Sequence, residues 1–89
     1  MFEWDEYNST HIEEHGLSPE DVDEALLDPR RLGAPAYSVA GEERRAVIGA
    51  TSAGRVLFVV VTRRGDVVRV VTARDANEWE KKRYRTRGK

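Results

Sequence analysis

Two runs of strand-forming residues joined by a tight turn occupy residues 54–74 and constrain the fold more than any other part of the chain. The runs are GRVLFVVVT and VVRVVTAR, and the connection between them is Arg63-Arg64-Gly65-Asp66. A Gly-Asp pair between runs of β-branched and aromatic residues predicts a β-hairpin. Residues 56–61 are apolar at every position. Both faces of this strand must therefore be covered, and we expect it inside a sheet.

The second run carries two arginines, Arg69 and Arg74. Successive side chains of a strand point to opposite faces of the sheet. Strict alternation predicts that Arg69 and Arg74 lie on opposite faces, so we do not expect both to reach the same phosphate. Each arginine needs a partner or an opening to water, and the partner is either a carboxylate of the protein or a phosphate of a bound molecule.

Length and composition exclude several classes of protein. A chain of 89 residues predicts a single domain over residues 1–89. The absence of cysteine excludes disulfides and thiolate metal sites. The acidic opening and the lack of a long apolar segment predict neither a signal peptide nor a transmembrane helix. We therefore expect a cytoplasmic protein with no membrane partner.

The net charge of −1 conceals a division along the chain. Residues 1–43 contain two basic and twelve acidic residues, whereas residues 44–89 contain thirteen basic and four acidic ones. This asymmetry predicts one acidic and one basic surface, and a basic surface attracts polyanions whatever the total charge. Alternatively, the two halves pair with each other in intramolecular salt bridges.

The N-terminal residues predict a short extended segment followed by a helix. Residues 2–5 form the extended segment, and Asp5 or Asn8 is the candidate helix cap. The helix is expected to stop at Gly16, the residue type preferred just past a helix end.

A second helix is predicted directly after the first. Ser18 is a typical cap and Pro19 a typical first helical residue. We expect this helix to end near residues 28–29 and to be followed by a loop over residues 30–35.

The remaining patterns predict strands and a last helix. Residues 36–40 are a candidate edge strand and residues 44–51 a second strand that leads into the hairpin. Asp75 followed by Glu78 matches a capping box, so a final helix is expected from there to about Arg85. The predicted class is α+β, with two N-terminal helices, a three- or four-stranded antiparallel sheet and one C-terminal helix.

Several short patterns in the right order resemble the BrnT family of bacterial type II toxin proteins over nearly the whole chain. The patterns are Trp4-Asp5, HIEEHGLSPEDVDEAL, Ile48-Gly49, GRVLFVVVT, Arg69 and TARDANEWEKKRY. The resemblance implies a RelE-like small ribonuclease fold and cleavage of RNA, with messenger RNA as the expected substrate, without a metal or other cofactor. It also implies neutralisation by an antitoxin encoded beside it, expected to be of the ribbon-helix-helix type, so that DNA is contacted only through that partner.

The C-terminal pattern of Arg74, Glu80 and Tyr84 corresponds to a motif of that family. The resemblance implies that Arg74 binds the scissile phosphate while Glu80 or Tyr84, one helical turn apart, assists proton transfer. The alternative is that Glu80 clamps Arg74 and fastens the last helix to the sheet, because a fixed arginine-carboxylate fork is a common use of such a pair.

Four further arginines are candidates for binding phosphate. Arg45 and Arg69 match basic positions on strands of the family, and arginine's planar fork suits phosphate oxygens. Arg63 and Arg64 lie at the hairpin tip and are expected to add long-range attraction, which is independent of RNA sequence and falls with salt.

The two histidines, His11 and His15, are candidates for acid-base chemistry. His15 precedes Gly16 as in the family's His-Gly pair, and histidine is suited to removing a 2′-hydroxyl proton. A histidine at a helix C-terminus is also favoured by the helix dipole. A zinc site would need a third ligand that the sequence does not single out. Many family members have a basic residue where this chain has Glu14, which makes the surroundings of the histidines less attractive to RNA.

The expected function is that of a metal-independent endoribonuclease toxin. Its candidate site residues are His15, Arg74, Glu80 and Tyr84 for catalysis, and Arg45, Arg63, Arg64 and Arg69 for RNA. The alternative is a non-catalytic binding module that only pairs with a DNA-binding partner.

Overall fold

A computed structural model describes residues 2–39 and 41–86, which form three helices and five strands. In chain order the elements are β1 (Phe2–Glu3), α1 (Glu6–Glu13), α2 (Pro19–Leu27), β2 (Leu32–Val39), β3 (Glu42–Ala50), β4 (Val56–Arg64), β5 (Val67–Asp75) and α3 (Glu78–Thr86). The predicted α+β class, with helices at both ends of an antiparallel sheet, is confirmed. None of the helices in these two ranges is long and apolar enough to cross a membrane.

The sheet has the strand order β1-β5-β4-β3-β2. Strands β2 to β5 are antiparallel neighbours, and β4 lies at the centre as its continuous apolar run predicts. The extended segment at the N-terminus joins the sheet as a fifth strand, parallel to β5, with Phe2 opposite Val68 and Glu3 opposite Arg69. A two-residue strand has no sequence signal of its own, so this pairing was not predicted.

Helices α1 and α2 cover one face of the sheet, which we call the helical face. The core between them and the sheet consists of Ile12, Leu17, Val22, Ala25, Leu26, Leu57, Val59, Val61, Val70 and Ala73. Helix α2 lies so close to β3 that a Cβ atom on Gly49 would stand 2.1 Å from the carbonyl oxygen of Ala25. Glycine at this position is therefore what allows the helix to reach the sheet.

Both termini of α1 follow local sequence signals, although the helix itself ends at Glu13, three residues before Gly16. Asp5 caps α1 in a capping box with Asn8, so the two candidate caps act together. Gly16 has a φ of 73°, and the next amide, of Leu17, donates to the carbonyl of Ile12 at 3.2 Å. This is the Schellman arrangement, in which glycine adopts the left-handed conformation and an apolar contact closes the helix end.

The opposite face of the sheet carries Phe58, Val60 and Thr62 of β4, and we call it the groove face. Phe58 pairs with Arg74, and Thr62 pairs with Arg69. Because residues four apart on β4 share a face, Arg69 and Arg74 share the groove face. The prediction that they lie on opposite faces is wrong. Between them the register shifts, from Val60 opposite Thr72 to Val61 opposite Val70. This β-bulge adds one residue and reverses the alternation.

The predicted start of the last helix is also wrong, by two residues. Asp75 remains in β5, opposite Leu57. The capping box forms instead between Asn77 and Glu80: the amide of Glu80 donates to the Asn77 side chain at 2.8 Å, and the amide of Asn77 donates to Glu80 Oε1 at 2.9 Å. Asp75 is unavailable as a cap because Arg55 binds its carboxylate at 2.6 and 2.9 Å.

The loop expected at residues 30–35 is shorter than predicted, because β2 begins at Leu32, which pairs with Ile48. The pairing is irregular between Ala34 and Tyr37. Pro35 lies in this interval, and a proline, which has no N–H to donate, is tolerated in an edge strand. The end of the expected strand at Ala40 lies outside the described residues.

Candidate active site

Basic side chains converge in a groove of about 450 Å³ on the groove face. It is lined by His11, Glu42, Arg44, Thr62, Arg64, Arg69, Val70, Val71 and Thr72. The strand register explains the convergence, because Arg44 of β3 and Arg69 of β5 both pair with Thr62 of the central strand. The three side chains form one row across the sheet, with Arg44 and Arg69 two strand spacings, or about 10 Å, apart at their bases.

Glu42 binds two of the groove arginines at once. Arg44 Nε lies 3.2 Å from Glu42 Oε1, and Arg64 Nη2 lies 3.4 Å from Oε2. The hydrogen bond from Arg44 has the largest effect on the pKa of Glu42, and with that from Arg64 it outweighs desolvation and lowers that pKa. A carboxylate held between two guanidinium groups occupies the kind of position in which arginines bind a phosphate.

Arg69 has a protein carboxylate as its partner. Its Nη2 lies 2.6 Å from Asp5 Oδ2, and only 18% of its side chain is exposed. Since Asp5 caps α1, this pair ties the first turn of the helix to β5. The alternative that the acidic and basic halves of the chain pair with each other is realised here.

Helix α1 and the turn that follows it bring the two histidines to the edge of β5. Asn8, which is 1% exposed, donates from Nδ2 to the carbonyl of Val70 at 3.2 Å and anchors the helix. His11, one turn later, lines the groove. His15 is exposed, and its ring lies 5.9 Å from that of His11 in a T-shaped arrangement.

Arg74 and Glu80 form a bidentate fork. Arg74 Nη1 donates to Glu80 Oε1 at 2.8 Å and Nη2 donates to Oε2 at 3.0 Å, while the guanidinium lies 4.3 Å above the centre of the Phe58 ring. Glu80 is 5% exposed. Burial alone would raise the pKa of Glu80, but the bonds from Arg74 and the Asn77 amide outweigh it and lower that pKa. The hydrogen bond to Glu80 in turn raises the pKa of Arg74.

Tyr84 fastens the other end of α3 to the end of α2. Its hydroxyl donates to Asp28 Oδ2, which also accepts the amide of Ala50 at 2.9 Å, and Oδ1 accepts the amide of Arg30 at 2.9 Å. Desolvation raises the pKa of Asp28, yet these bonds prevail and lower it. Glu80 and Tyr84 thus both hold α3 in place, with their oxygen atoms engaged by protein groups.

The other predicted phosphate-binding arginines are divided between the two faces. Arg64 and Arg69 line the groove, but Arg45 pairs with Val61 of the helical face. Arg45 is bound at 3.6 Å by Glu43, and Arg63 donates from Nε to the carbonyl of Gly65 at 2.9 Å. The structure therefore does not bring Arg45 and Arg63 to Arg69.

Three residues that form the groove or hold the elements around it were not singled out in the sequence. Arg44 and Glu42 line the groove, and only the pairing of β3 with β4 reveals this. Arg55 donates from Nη1 to the carbonyl of Gly16 at 3.1 Å while it binds Asp75. It connects the end of α1 to the sheet. A charged pair twenty residues apart leaves no local sequence signal.

Metal coordination would require at least three suitable side chains close together. Within residues 2–39 and 41–86, no group of three or more histidine, aspartate or glutamate side chains could hold a metal ion. The zinc site considered for His11 and His15 has no third ligand in this part of the chain.

Comparison with known proteins identifies the family. The family described as "Ribonuclease toxin, BrnT, of type II toxin-antitoxin system" matches residues 4–80. This segment includes the groove and the Arg74–Glu80 fork, and it ends before Tyr84. A comparison with curated proteins finds no match. The chain therefore belongs to the BrnT family of ribonuclease toxins of type II toxin-antitoxin systems, with RNA as its target and an antitoxin as its partner.

Proposed function

We propose that this toxin is a metal-independent endoribonuclease that binds single-stranded RNA, messenger RNA in particular, in the groove. The observation that carries the proposal is the convergence of Arg44, Arg64 and Arg69 with His11 in one depression. Guanidinium groups match the geometry of phosphate oxygens, and a histidine can move a proton near neutral pH.

The proposed reaction is an internal transesterification. The 2′-hydroxyl oxygen attacks the adjacent phosphorus, the O2′–P bond forms and the P–O5′ bond breaks. The 2′-hydroxyl proton passes to a base of the protein, and the departing O5′ takes up a proton. The products are a 2′,3′-cyclic phosphate and a 5′-hydroxyl. Preorganised positive charge stabilises the extra negative charge that develops on the phosphorus oxygens.

The geometry supports a division of roles among the candidate residues. His11 lines the groove and is assigned the first proton transfer, with the nearby His15 as the second candidate. Arg74 shares the face of the groove, and 42% of its side chain is exposed, so it can attract a phosphate along that face. Glu80 and Tyr84 are assigned a positioning role, Glu80 by orienting Arg74 and Tyr84 by holding α3.

A cleavage assay tests the proposal. Purified protein without antitoxin is mixed with single-stranded RNA at low salt in the presence of EDTA. We expect cleavage with 2′,3′-cyclic phosphate ends and no cleavage at 2′-O-methylated positions. RNA that stays intact under these conditions would overturn the proposal.

A matched pair of variants locates the activity. Arg64 lies in the groove, whereas its neighbour Arg63 lies on the helical side of the same strand end. We expect Arg64→Gln to weaken cleavage and Arg63→Gln to retain it. Equal effects of the two variants would contradict the assignment of the groove.

Expression in bacteria separates the nuclease from a non-catalytic binding module. A ribonuclease should arrest growth, and both Arg74→Ala and Arg64→Gln should relieve the arrest. Arg64 is used as well because Arg74→Ala leaves a buried carboxylate unpaired and destabilises the fold. Normal growth of cells expressing the unmodified protein would favour the binding module.

The ribbon-helix-helix class of the antitoxin and the cytoplasmic location are proposals supported by the family alone. The neighbouring gene tests the first: a small ribbon-helix-helix protein encoded there is expected, and another antitoxin fold would contradict it.

A further inference from the structure

Helix α3 turns a large aromatic side chain outward. Glu80 is buried and faces Arg74, whereas Trp79 is 63% exposed. Lys82, Arg83 and Thr86 follow Trp79 by three, four and seven residues, so the four residues share the outer side of the helix. Exposing so much of an indole gives up apolar burial, which is recovered when a flat, apolar group covers the ring.

A cation stacks on the exposed indole. The guanidinium carbon of Arg83 lies 5.0 Å from the centre of the Trp79 ring, one helical turn away. An arginine stacked in this way restricts the indole and leaves donors at its edge. Trp79 and Arg83 therefore present one flat surface together with positive charge.

The charge of the helix favours a polyanion as the occupant of this surface. Lys81, Lys82, Arg83 and Arg85 are all within α3. The exposed Glu78 is bound at 3.9 Å by Lys81. A ligand here meets an aromatic ring among lysine and arginine side chains, the combination by which proteins bind single strands without regard to sequence.

The surface adjoins the groove face. Glu80, next to Trp79 in the sequence, binds Arg74, which pairs with Phe58. Phe58 lies four residues before Thr62 on β4, and Thr62 belongs to the row of groove residues across the sheet. Four residues of a strand correspond to about 13 Å. A strand of RNA that leaves the groove in this direction passes Arg74 and reaches α3.

We propose that Trp79, backed by Arg83, stacks against an unpaired base of the RNA substrate outside the groove. This inference rests on the proposed function for the identity of the ligand as RNA, but it concerns binding and requires no cleavage. An indole in a basic surface beside the groove face favours RNA over an acidic protein segment, because stacking on an aromatic ring is a contact that every base can make.

Binding of an uncleavable RNA tests this proposal. The probe is a ten-nucleotide single-stranded 2′-O-methyl RNA with a fluorescent label, and its anisotropy reports the dissociation constant. We expect Trp79→Ala to weaken binding by about five- to a hundredfold, the range for removal of one stacking contact, and Trp79→Phe to restore part of the affinity. Leu27→Ala is the matched control, because Leu27 is 66% exposed on α2, and circular dichroism verifies that each variant is folded.

An abasic oligomer of the same length separates stacking from charge. It keeps the phosphates but has no bases. Trp79→Ala should therefore bind the abasic oligomer as tightly as the unmodified protein does. Trp79→Ala that binds the base-containing probe within twofold of the unmodified protein would overturn the proposal. An equal loss on both oligomers would do the same. Polyglutamate that binds the unmodified protein as tightly as the RNA, in a manner dependent on Trp79, would point to an acidic protein instead and also overturn it.

Arg64→Gln distinguishes a failure of the groove from a failure at α3. We expect this variant to bind both the base-containing and the abasic oligomer more weakly, because it removes a phosphate contact rather than a base contact. A protein that does not cleave RNA but shows the Trp79 effect would contradict the proposed function and support the stacking site. A protein that cleaves RNA but whose RNA binding does not depend on Trp79 would support the proposed function and contradict the stacking site.

Discussion

The carboxylate of Glu80 combines a helix cap with an ion pair. It accepts the amide of Asn77 and both nitrogen donors of the Arg74 fork, at 5% exposure. A neutral glutamine at this position can still complete a capping box, but it cannot form the ion pair with the arginine. The substitution Glu80→Gln therefore separates the contribution of the charge to stability from that of the helix cap.

Replacement of Glu80 is expected to destabilise the fold in a pH-dependent way. Glu80→Gln should lower the free energy of unfolding at pH 7 by about 1–2 kcal/mol, the worth of a hydrogen bond to a charged group reduced for the half-exposed arginine. Denaturation in urea measures this change. Glu78→Gln is the control, because 85% of the Glu78 side chain is exposed, and a loss as large for Glu78→Gln would contradict the prediction.

The pH dependence follows from the sign of the pKa shift. The folded-state pKa of Glu80 lies below the ordinary glutamate value of 4.5, so the folded state holds the proton less tightly than the unfolded state. The stabilisation is complete above about pH 4.5 and is lost as the pH falls through the lower, folded-state pKa. The difference between the unmodified protein and Glu80→Gln should shrink in that acidic range. A difference that stays constant down to pH 3 would contradict this assignment.

In the proposed complex, RNA phosphates and Glu42 compete for two groove arginines, because Glu42 binds Arg44 and Arg64. Glu42→Gln removes the competing charge, so we expect tighter binding of the 2′-O-methyl RNA, by about two- to tenfold, at low salt. Fluorescence anisotropy measures the change. Glu43→Gln is the matched control, because Glu43 binds Arg45 of the other face. Unchanged affinity for Glu42→Gln, or the same gain for both variants, would contradict a phosphate site at these arginines.

At the scale of elements, two features align the site: the β-bulge in β5 and the close approach of α2 to β3. The bulge places Arg69 and Arg74 on one face of the sheet. Asp28, the C-terminal cap of α2, accepts a hydrogen bond from the hydroxyl of Tyr84 on α3. The position of α3 therefore depends on how α2 packs on the sheet.

Gly49 is the position at which that packing is most sensitive. In Gly49→Ala the new Cβ would lie 2.1 Å from the Ala25 carbonyl oxygen, so α2 must move away from the sheet. We expect a loss of about 1–3 kcal/mol in the free energy of unfolding, the usual cost of overpacking. Gly33→Ala, on β2, has no atom within 4 Å of the new Cβ and should change little. Thermal and urea denaturation compare the two, and equal stabilities would contradict the contact.

At the scale of the whole molecule, the charge division of the sequence is partly neutralised internally. Pairs between the two halves include Asp5 with Arg69, Glu42 with Arg44 and Arg64, and Glu43 with Arg45. Basic side chains of α3 and the hairpin tip remain exposed, and so do Glu13, Glu14 and Glu20 of the acidic half. Internal pairing and separate charged surfaces therefore coexist.

Affinity for RNA should fall steeply with salt. The logarithm of the binding constant is expected to decrease linearly with the logarithm of the salt concentration, with a slope of about −0.7 for each phosphate contact to a single strand. Arg64→Gln should reduce the magnitude of that slope by about 0.7. Trp79→Ala should leave it unchanged, because stacking releases no counterion. Anisotropy titrations at several salt concentrations measure the slopes, and an affinity independent of salt would contradict RNA binding through the basic groove.

Much of the fold was predictable because its signals are local. The caps at Asp5 and Ser18, the left-handed Gly16 just past α1 and the turn at Gly65-Asp66 each depend on backbone groups within a few residues. The central position of β4 follows from its apolar composition, since a strand apolar on both sides has to be covered on both. Arg69, Arg74 and Glu80 were recognised as candidates through the resemblance to the family, and Arg64 through its place at the hairpin tip.

The composition of the site depended on contacts between residues far apart in the chain. The bulge between Val70 and Thr72 reversed the face of Arg74, and the row of Arg44, Thr62 and Arg69 exists only through the register of three strands. Asp75 was lost as a helix cap because Arg55, twenty residues earlier, binds it. Local sequence thus determined the helices, the turns and the central strand. Only the tertiary structure decided which arginines share a face, because strand register and long-range ion pairs are set by the packing of the whole chain.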